Sequence, residues 1–183
     1  LQTLLDQIAG ETAASDQVEV YLPAVTYEGD LELPGRSIDF YGSTDGAART
    51  VLHGSVTLRS GSYYWINYFY DMDFVGDGTD IGISAPAKCW AVDCSFTGWE
   101  IGLLVGGEAW ANPKDCLFTD NDIGFRFDSG GTYCNYTDFT NNTFRNNTVA
   151  VDLLRVPGLR TIDFKFCLFD SNVATILNPN NHA

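Results

Sequence analysis

Three aspartates recur at a fixed interval. Asp71, Asp93 and Asp115 lie 22 residues apart, and each stands three residues before a phenylalanine. If that interval is one turn of a winding chain, the carboxylates form a vertical row on its outside, about 5 Å from one to the next. Such a row is an oxygen-rich cradle of the kind calcium takes. The row also stands without metal, because two unit charges at this spacing repel by only about 1 kcal/mol in water. Asn141 joins it if the fourth repeat keeps register.

A second chemistry lies in the run from Ser62 to Phe74, which carries Tyr63, Tyr64, Trp65, Tyr68, Phe69 and Tyr70. Flat rings on the flank of a β structure stack on the apolar face of a pyranose, so Tyr63, Trp65 and Phe69 are candidate sugar contacts, with Asn67 bonding hydroxyls. Trp110, in the loop GGEAWANPKD, is the candidate for an exposed ring outside that run. The plainer reading puts half of these rings in the core and the rest beneath a loop.

Both sets depend on what repeats. The stretches CSFTGWEIGLLV, CLFTDNDIGFRF, NTFRNNTVAVDL and CLFDSNVATILN, with a looser MDFVGDGTDIGI, align to place Phe74, Phe96, Phe118, Phe144 and Phe169 in one column at intervals of 22, 22, 26 and 25 residues. A period in the twenties marks a solenoid. After each phenylalanine the apolar residues alternate, as in Ile101, Leu103 and Val105, which is strand spacing. Between them a polar turn holds Asp77, Trp99, Asn121, Asn147 and Asn172 at equivalent places, and the three asparagines predict an amide ladder running from rung to rung, with Trp99 capping it. Cys94, Cys116 and Cys167 sit two residues before the column and are expected inside as small hydrophobes. Phe139 with Asn142 is an alternative filling of the column between Phe118 and Phe144.

Leu1, Leu4, Leu5 and Ile8 follow helical spacing up to Gly10, which predicts a capping helix over 1–10 that closes the first coil. The strand and turn VEVYLPAVTYEG follow, with short alternating strands up to Gly42. This helix, strand and series of Phe- and Asn-rich coils resembles the pectin-lyase-like superfamily across nearly the whole chain. The resemblance implies an all-β, single-stranded, right-handed parallel β-helix of roughly seven coils over 17–178, in one domain. It also implies the chemistry of the superfamily's pectate lyases, in which calcium on strand carboxylates neutralises a uronate and a basic residue takes the neighbouring proton. Lys114 and Arg126 are the candidates for that role here. Arg126 aligns equally with Asp152 as an ion-pair partner. The superfamily's polygalacturonase motifs are absent from the sequence.

Composition narrows the function classes. A net charge of −14 with ten Lys and Arg argues against nucleic acid and against anionic membrane surfaces as partners. No apolar run is long enough to span a membrane. Low lysine, many asparagines and sequons at Asn135, Asn141 and Asn146 point to a secreted or surface-displayed protein whose partner is a polysaccharide or cell-surface glycan, with no cofactor unless calcium occupies the row. His53 is expected as a solvated turn residue, and Asp77 with Asp80 as local backbone partners. The C-terminal NPNNHA supplies no second lid, so a further coil, domain or subunit is expected against that end. The expected role is non-catalytic glycan contact, with a calcium-assisted lyase and a ligand-free spacer as the alternatives.

Overall fold

The column phenylalanines stack. In the computed structural model, which describes residues 1–45, 48–60, 66–107, 109–130, 139–156 and 162–180, Phe74, Phe96, Phe118, Phe144 and Phe169 lie ring over ring with centroids 5.0, 4.9, 4.8 and 5.1 Å apart and planes within 8°. All but Phe169 are fully buried. The separation is the spacing of paired strands. The side chains therefore repeat because the backbone does. The chain winds into a parallel β-solenoid of about six turns.

Successive turns add strands to each of three parallel sheets. The first sheet stacks Val18–Tyr21, Ile38–Tyr41, Ile66–Tyr70, Lys88–Val92, Ala111–Lys114, Phe139–Thr140 and Phe164–Lys165. The second carries the phenylalanine column, on strands that include Met72–Val75, Ser95–Thr97, Leu117–Thr119, Thr143–Arg145 and Leu168–Asp170, and the third follows, with Ile101–Gly107, Ile123–Ser129 and Val149–Arg155 as its longest members. Phe118 pairs with Phe144, and Phe139 belongs to the first sheet, where it faces the core beside Phe164. This resolves the alternative register in favour of Phe144.

Two corners recur, and both use the left-handed backbone region. Asp71, Asp93, Asp115 and Asn141 have φ of 56°, 50°, 55° and 56° between the first and second sheets, and Asp120, Asn146 and Ser171 have φ of 57°, 55° and 58° after the second. Asp and Asn are the side chains that best tolerate this conformation. The periodic aspartates are thus accounted for by backbone geometry.

The amide ladder forms as expected. Asn147 Oδ1 accepts from the backbone N–H of Asn121 at 3.1 Å and from its Nδ2 at 3.0 Å, and Asn172 Oδ1 takes the equivalent pair from Asn147. Trp99 stands at the ladder's head, its N–H bonded to Asn121 Oδ1 at 2.9 Å. Cys94 and Cys116 are buried free thiols, and Cys167 is half-buried on the last coil. Cys134 lies outside the described residues.

The helix spans Gln2–Glu11, one residue beyond the expected stop, and buries Leu5 completely. It closes the first coil through polar bonds as well: the Gln2 side-chain amide donates to Glu32 O and accepts from Glu32 N, at 3.2 and 2.9 Å. Arg36, almost wholly buried, ties the segment after the helix to the body by donating to Asp16 O at 2.7 Å. At the other end, the last coil exposes Phe166, Leu168, Val173, Ile176 and Leu177.

Candidate functional site

The outer face of the first sheet collects the aromatic residues. Strand alternation sends Phe40 and Phe69 inward, where their rings stack at 5.3 Å, and so sends Tyr41, Tyr68 and Tyr70 outward. Strand register then arranges the outward residues in two rows along the solenoid axis. One row runs Glu19, Asp39, Tyr68, Trp90, Asn112. The other runs Tyr21, Tyr41, Tyr70, Val92, Lys114, Thr140.

The rings of these rows, with Trp110 beside them, lie in a series of close ring pairs. Tyr21 stacks on Tyr41 at 4.9 Å and Tyr41 on Tyr70 at 4.8 Å, and Tyr68 lies 5.9 Å from Tyr70 in the same strand. Trp90 meets Tyr68 at 5.3 Å and Trp110 at 6.2 Å, both tilted by 57°. The indole nitrogens of Trp90 and Trp110 are buried and have no hydrogen-bond partner among the described residues. Burial raises the Tyr70 phenol to about 12, with Tyr41, Asp39 and Tyr68 adding to it. The tyrosines are therefore neutral donors and acceptors at physiological pH.

Beside Tyr70 a groove of about 390 Å³ opens, bounded by Tyr70, Trp90, Val92, Asn112, Lys114 and Thr140. Its lining is two aromatic faces, an aliphatic floor and three polar side chains. That mixture suits a ligand with an apolar ring face and polar edges.

Several sequence expectations need correction here. Asn67 and Phe69 are each 2% exposed: Asn67 Oδ1 accepts from the backbone N–H of Ile38 at 3.2 Å, and Phe69 packs edge-on against Phe74. They belong to the inward set of their strand, because a phase one residue different exchanges the faces. Trp110 is not an exposed ring. It is 9% exposed, covered by Trp90 and by Lys88, whose Nζ lies 5.7 Å over the indole. Tyr63 and Trp65 lie outside the described residues. Of the outward rings that the sequence reading missed, Tyr21 and Tyr41 precede the repeats that align on the column, whereas Trp90 had a signal, standing six residues before Phe96 as Tyr68 stands before Phe74.

The carboxylate row borders the same sheet and is partly compensated. Arg49 reaches across coils, with Nε 3.0 Å from Asp73 Oδ1, Nη1 3.8 Å from Asp93 Oδ1, and Nη2 donating to the Asp93 carbonyl. Asn141 Nδ2 donates to Asp115 Oδ1 at 2.6 Å, and Lys114 Nζ stands 3.7 Å from Asp115 Oδ2. Burial raises the Asp71 carboxyl, and Asp93 beside it adds to the rise. Among the described residues no three Asp, Glu, His or Cys side chains converge as a metal centre requires.

Arg126 sits on the third sheet, paired with Asp152 at 2.8 Å, as its alignment suggested. It does not adjoin the corner that carries Asp71, Asp93 and Asp115. A smaller cavity of about 290 Å³ near the second corner is bordered by Asp30, His53, Asp77, Asp80 and Trp99. Two of its carboxylates are engaged: Asp30 accepts from Ser55 N and Oγ on the next coil, and Asp77 from Thr79 N and Oγ1 within its own turn. His53 is half-exposed and pairs with Glu28 at 3.2 Å.

No family model matches the chain, and neither a curated protein nor a solved structure matches it.

Proposed function

We propose that this protein is a glycan-contacting β-solenoid of the pectin-lyase-like, right-handed type, secreted or displayed at a cell surface, which holds carbohydrate without transforming it. The observation that carries this reading is the series of close ring pairs from Tyr21 to Trp110 on one outer face, with a groove at Tyr70 whose edges are polar. The ring that ends the tyrosine stack borders the groove, where an aromatic face removes the apolar side of a sugar from water. The calcium-assisted lyase reading draws less support, since Lys114 and Arg126 stand on different sheets and each already faces an aspartate. The exposed Leu168, Ile176 and Leu177 support contact of the last coil with another coil or subunit.

A glycan array probed with the intact protein, followed by calorimetry on the strongest hits, tests the reading. Saturable binding without turnover, weakened by Trp90→Ala, is the expected result. An array with no response, or unsaturated products released from polygalacturonate in the presence of calcium, would overturn it.

A further inference from the structure

The outward tyrosine stack stops before the sheet does. Tyr21, Tyr41 and Tyr70 follow one another rung by rung, with planes within 14° and 5°. Register then places Val92 on the next rung and Lys114 on the one after. Valine reaches only a short way from the sheet, whereas a tyrosine ring extends well beyond it. The side of Tyr70 that faces Val92 is where the groove opens.

The dimensions follow from strand spacing. Neighbouring rungs are about 4.8 Å apart, so Tyr70 and Lys114 stand about 9–10 Å apart, with the rung of Val92 midway. A single six-membered ring set over Val92 lies one rung from the tyrosine face and one rung from the lysine stem. Trp90, two residues before Val92 on the same strand, walls one side, and Thr140 and Asn112 border the groove with polar groups. Lys114 lies 3.7 Å from Asp115, and the chain as a whole carries −14, which weighs against an acidic ligand.

We infer that this slot takes one neutral terminal pyranose, standing edge-on with its C–H face against Tyr70 and its hydroxyls toward Asn112 and Thr140. The inference rests on the glycan reading and deepens it: the site holds a chain end or branch tip, continuing the stack that Tyr70 begins. A sugar laid flat along the sheet would meet ring edges, because the tyrosine faces above are occupied by one another.

The decisive variant is Val92→Tyr, which places a fourth ring where the sugar would stack. Methyl glucoside, galactoside, mannoside and xyloside, with p-cresol as a bare aromatic ring, are titrated into wild type, Val92→Tyr and Tyr70→Leu by saturation-transfer NMR and calorimetry, with circular dichroism and melting as fold controls. At least one methyl pyranoside binds wild type, and both variants weaken it by about tenfold or more, Val92→Tyr doing so with an undiminished melting temperature. Undiminished pyranoside binding by Val92→Tyr places the sugar elsewhere and overturns the slot, while glycan-array binding would still stand. Silence of wild type on both the array and the pyranosides removes the glycan reading together with the slot. Binding of p-cresol and of no pyranoside makes this an aromatic-ligand site and likewise overturns the inference. If Val92→Tyr fails to fold, Tyr70→Leu, which removes the stacking face without adding volume, decides alone.

Discussion

The indole N–H of Trp99 donates to the carbonyl of Phe74 at 3.1 Å, the same bond that Asn121, Asn147 and Asn172 make with their side-chain amides to Phe96, Phe118 and Phe144 at 3.0, 3.0 and 2.9 Å. A tryptophan thus fills an asparagine position in the ladder by presenting one N–H in the same direction. The bulk of its ring is accommodated because Gly76 lies beneath it, where an added Cβ would fall 2.5 Å from the indole. Trp99→Phe keeps most of the packing and leaves the Phe74 carbonyl without its donor. A loss of about 1–2 kcal/mol is expected, read by urea denaturation. An unchanged midpoint would show that the bond contributes nothing net.

Asn147 sits mid-ladder, fully buried, with partners on both sides. Asn147→Ala strands the backbone N–H of Asn121 and the carbonyl of Phe118 together. We expect about 2–4 kcal/mol of destabilisation, larger than for Asn172→Ala on the half-buried last rung. Equal losses at the two sites would contradict a ladder that gains strength from its interior.

Phe118 is the centre of the five-ring column, stacked on both faces and met edge-on by Phe125 at 6.4 Å. Truncation to alanine opens a cavity between coils that cannot collapse without breaking strand register. A cost of about 3–5 kcal/mol is expected, whereas Phe169→Ala, with a ring on one face only, costs less. Thermal melts of both variants compare them directly.

Asp39 is 4% exposed, yet among the described residues only one of its oxygens is bonded, to Gln17 Nε2 at 2.7 Å. Burial lifts its carboxyl above the ordinary 3.8, with Glu19 adding to the rise and the Gln17 bond opposing it. The folded protein therefore holds this proton more tightly than the unfolded chain. Stability contributed by the protonated form is complete below 3.8, declines as pH rises from there through the raised value, and is gone above it. Asp39→Asn removes that decline, so the variant should be more stable than wild type at neutral pH and show a flatter stability profile in the acid range. Parallel pH profiles for the two proteins would refute this assignment.

Arg49 is the cation that spans the acidic corner, facing Asp73 and Asp93 from the neighbouring strand. Arg49→Ala should lower stability by about 1 kcal/mol, with the deficit shrinking at high salt. Wild type should melt at the same temperature in calcium and in a chelator. A calcium-dependent rise in wild type, lost in Asp93→Ala, would reinstate the row as a metal site.

Much of the fold was legible because a solenoid writes its geometry directly into residue spacing: a ring that recurs after one turn must lie over its predecessor, so the phenylalanine column, the asparagine ladder and the pairing of Arg126 with Asp152 follow from alignment alone. The aspartates were equally visible, yet their reason was not. Their spacing reflects a left-handed corner, and only backbone angles separate that from a ligand set. Which face of Ile66–Tyr70 looks outward was decided in three dimensions, since alternation divides a strand into two sets without naming the buried one, and both sets here carry rings. The core took Phe69 and Asn67, whose polar atoms could be satisfied inside, and left Tyr68 and Tyr70 where their hydroxyls reach water. The groove exists only because Val92 follows Tyr70 across the coils, a relation between residues 22 apart that acquires meaning once the strands pair.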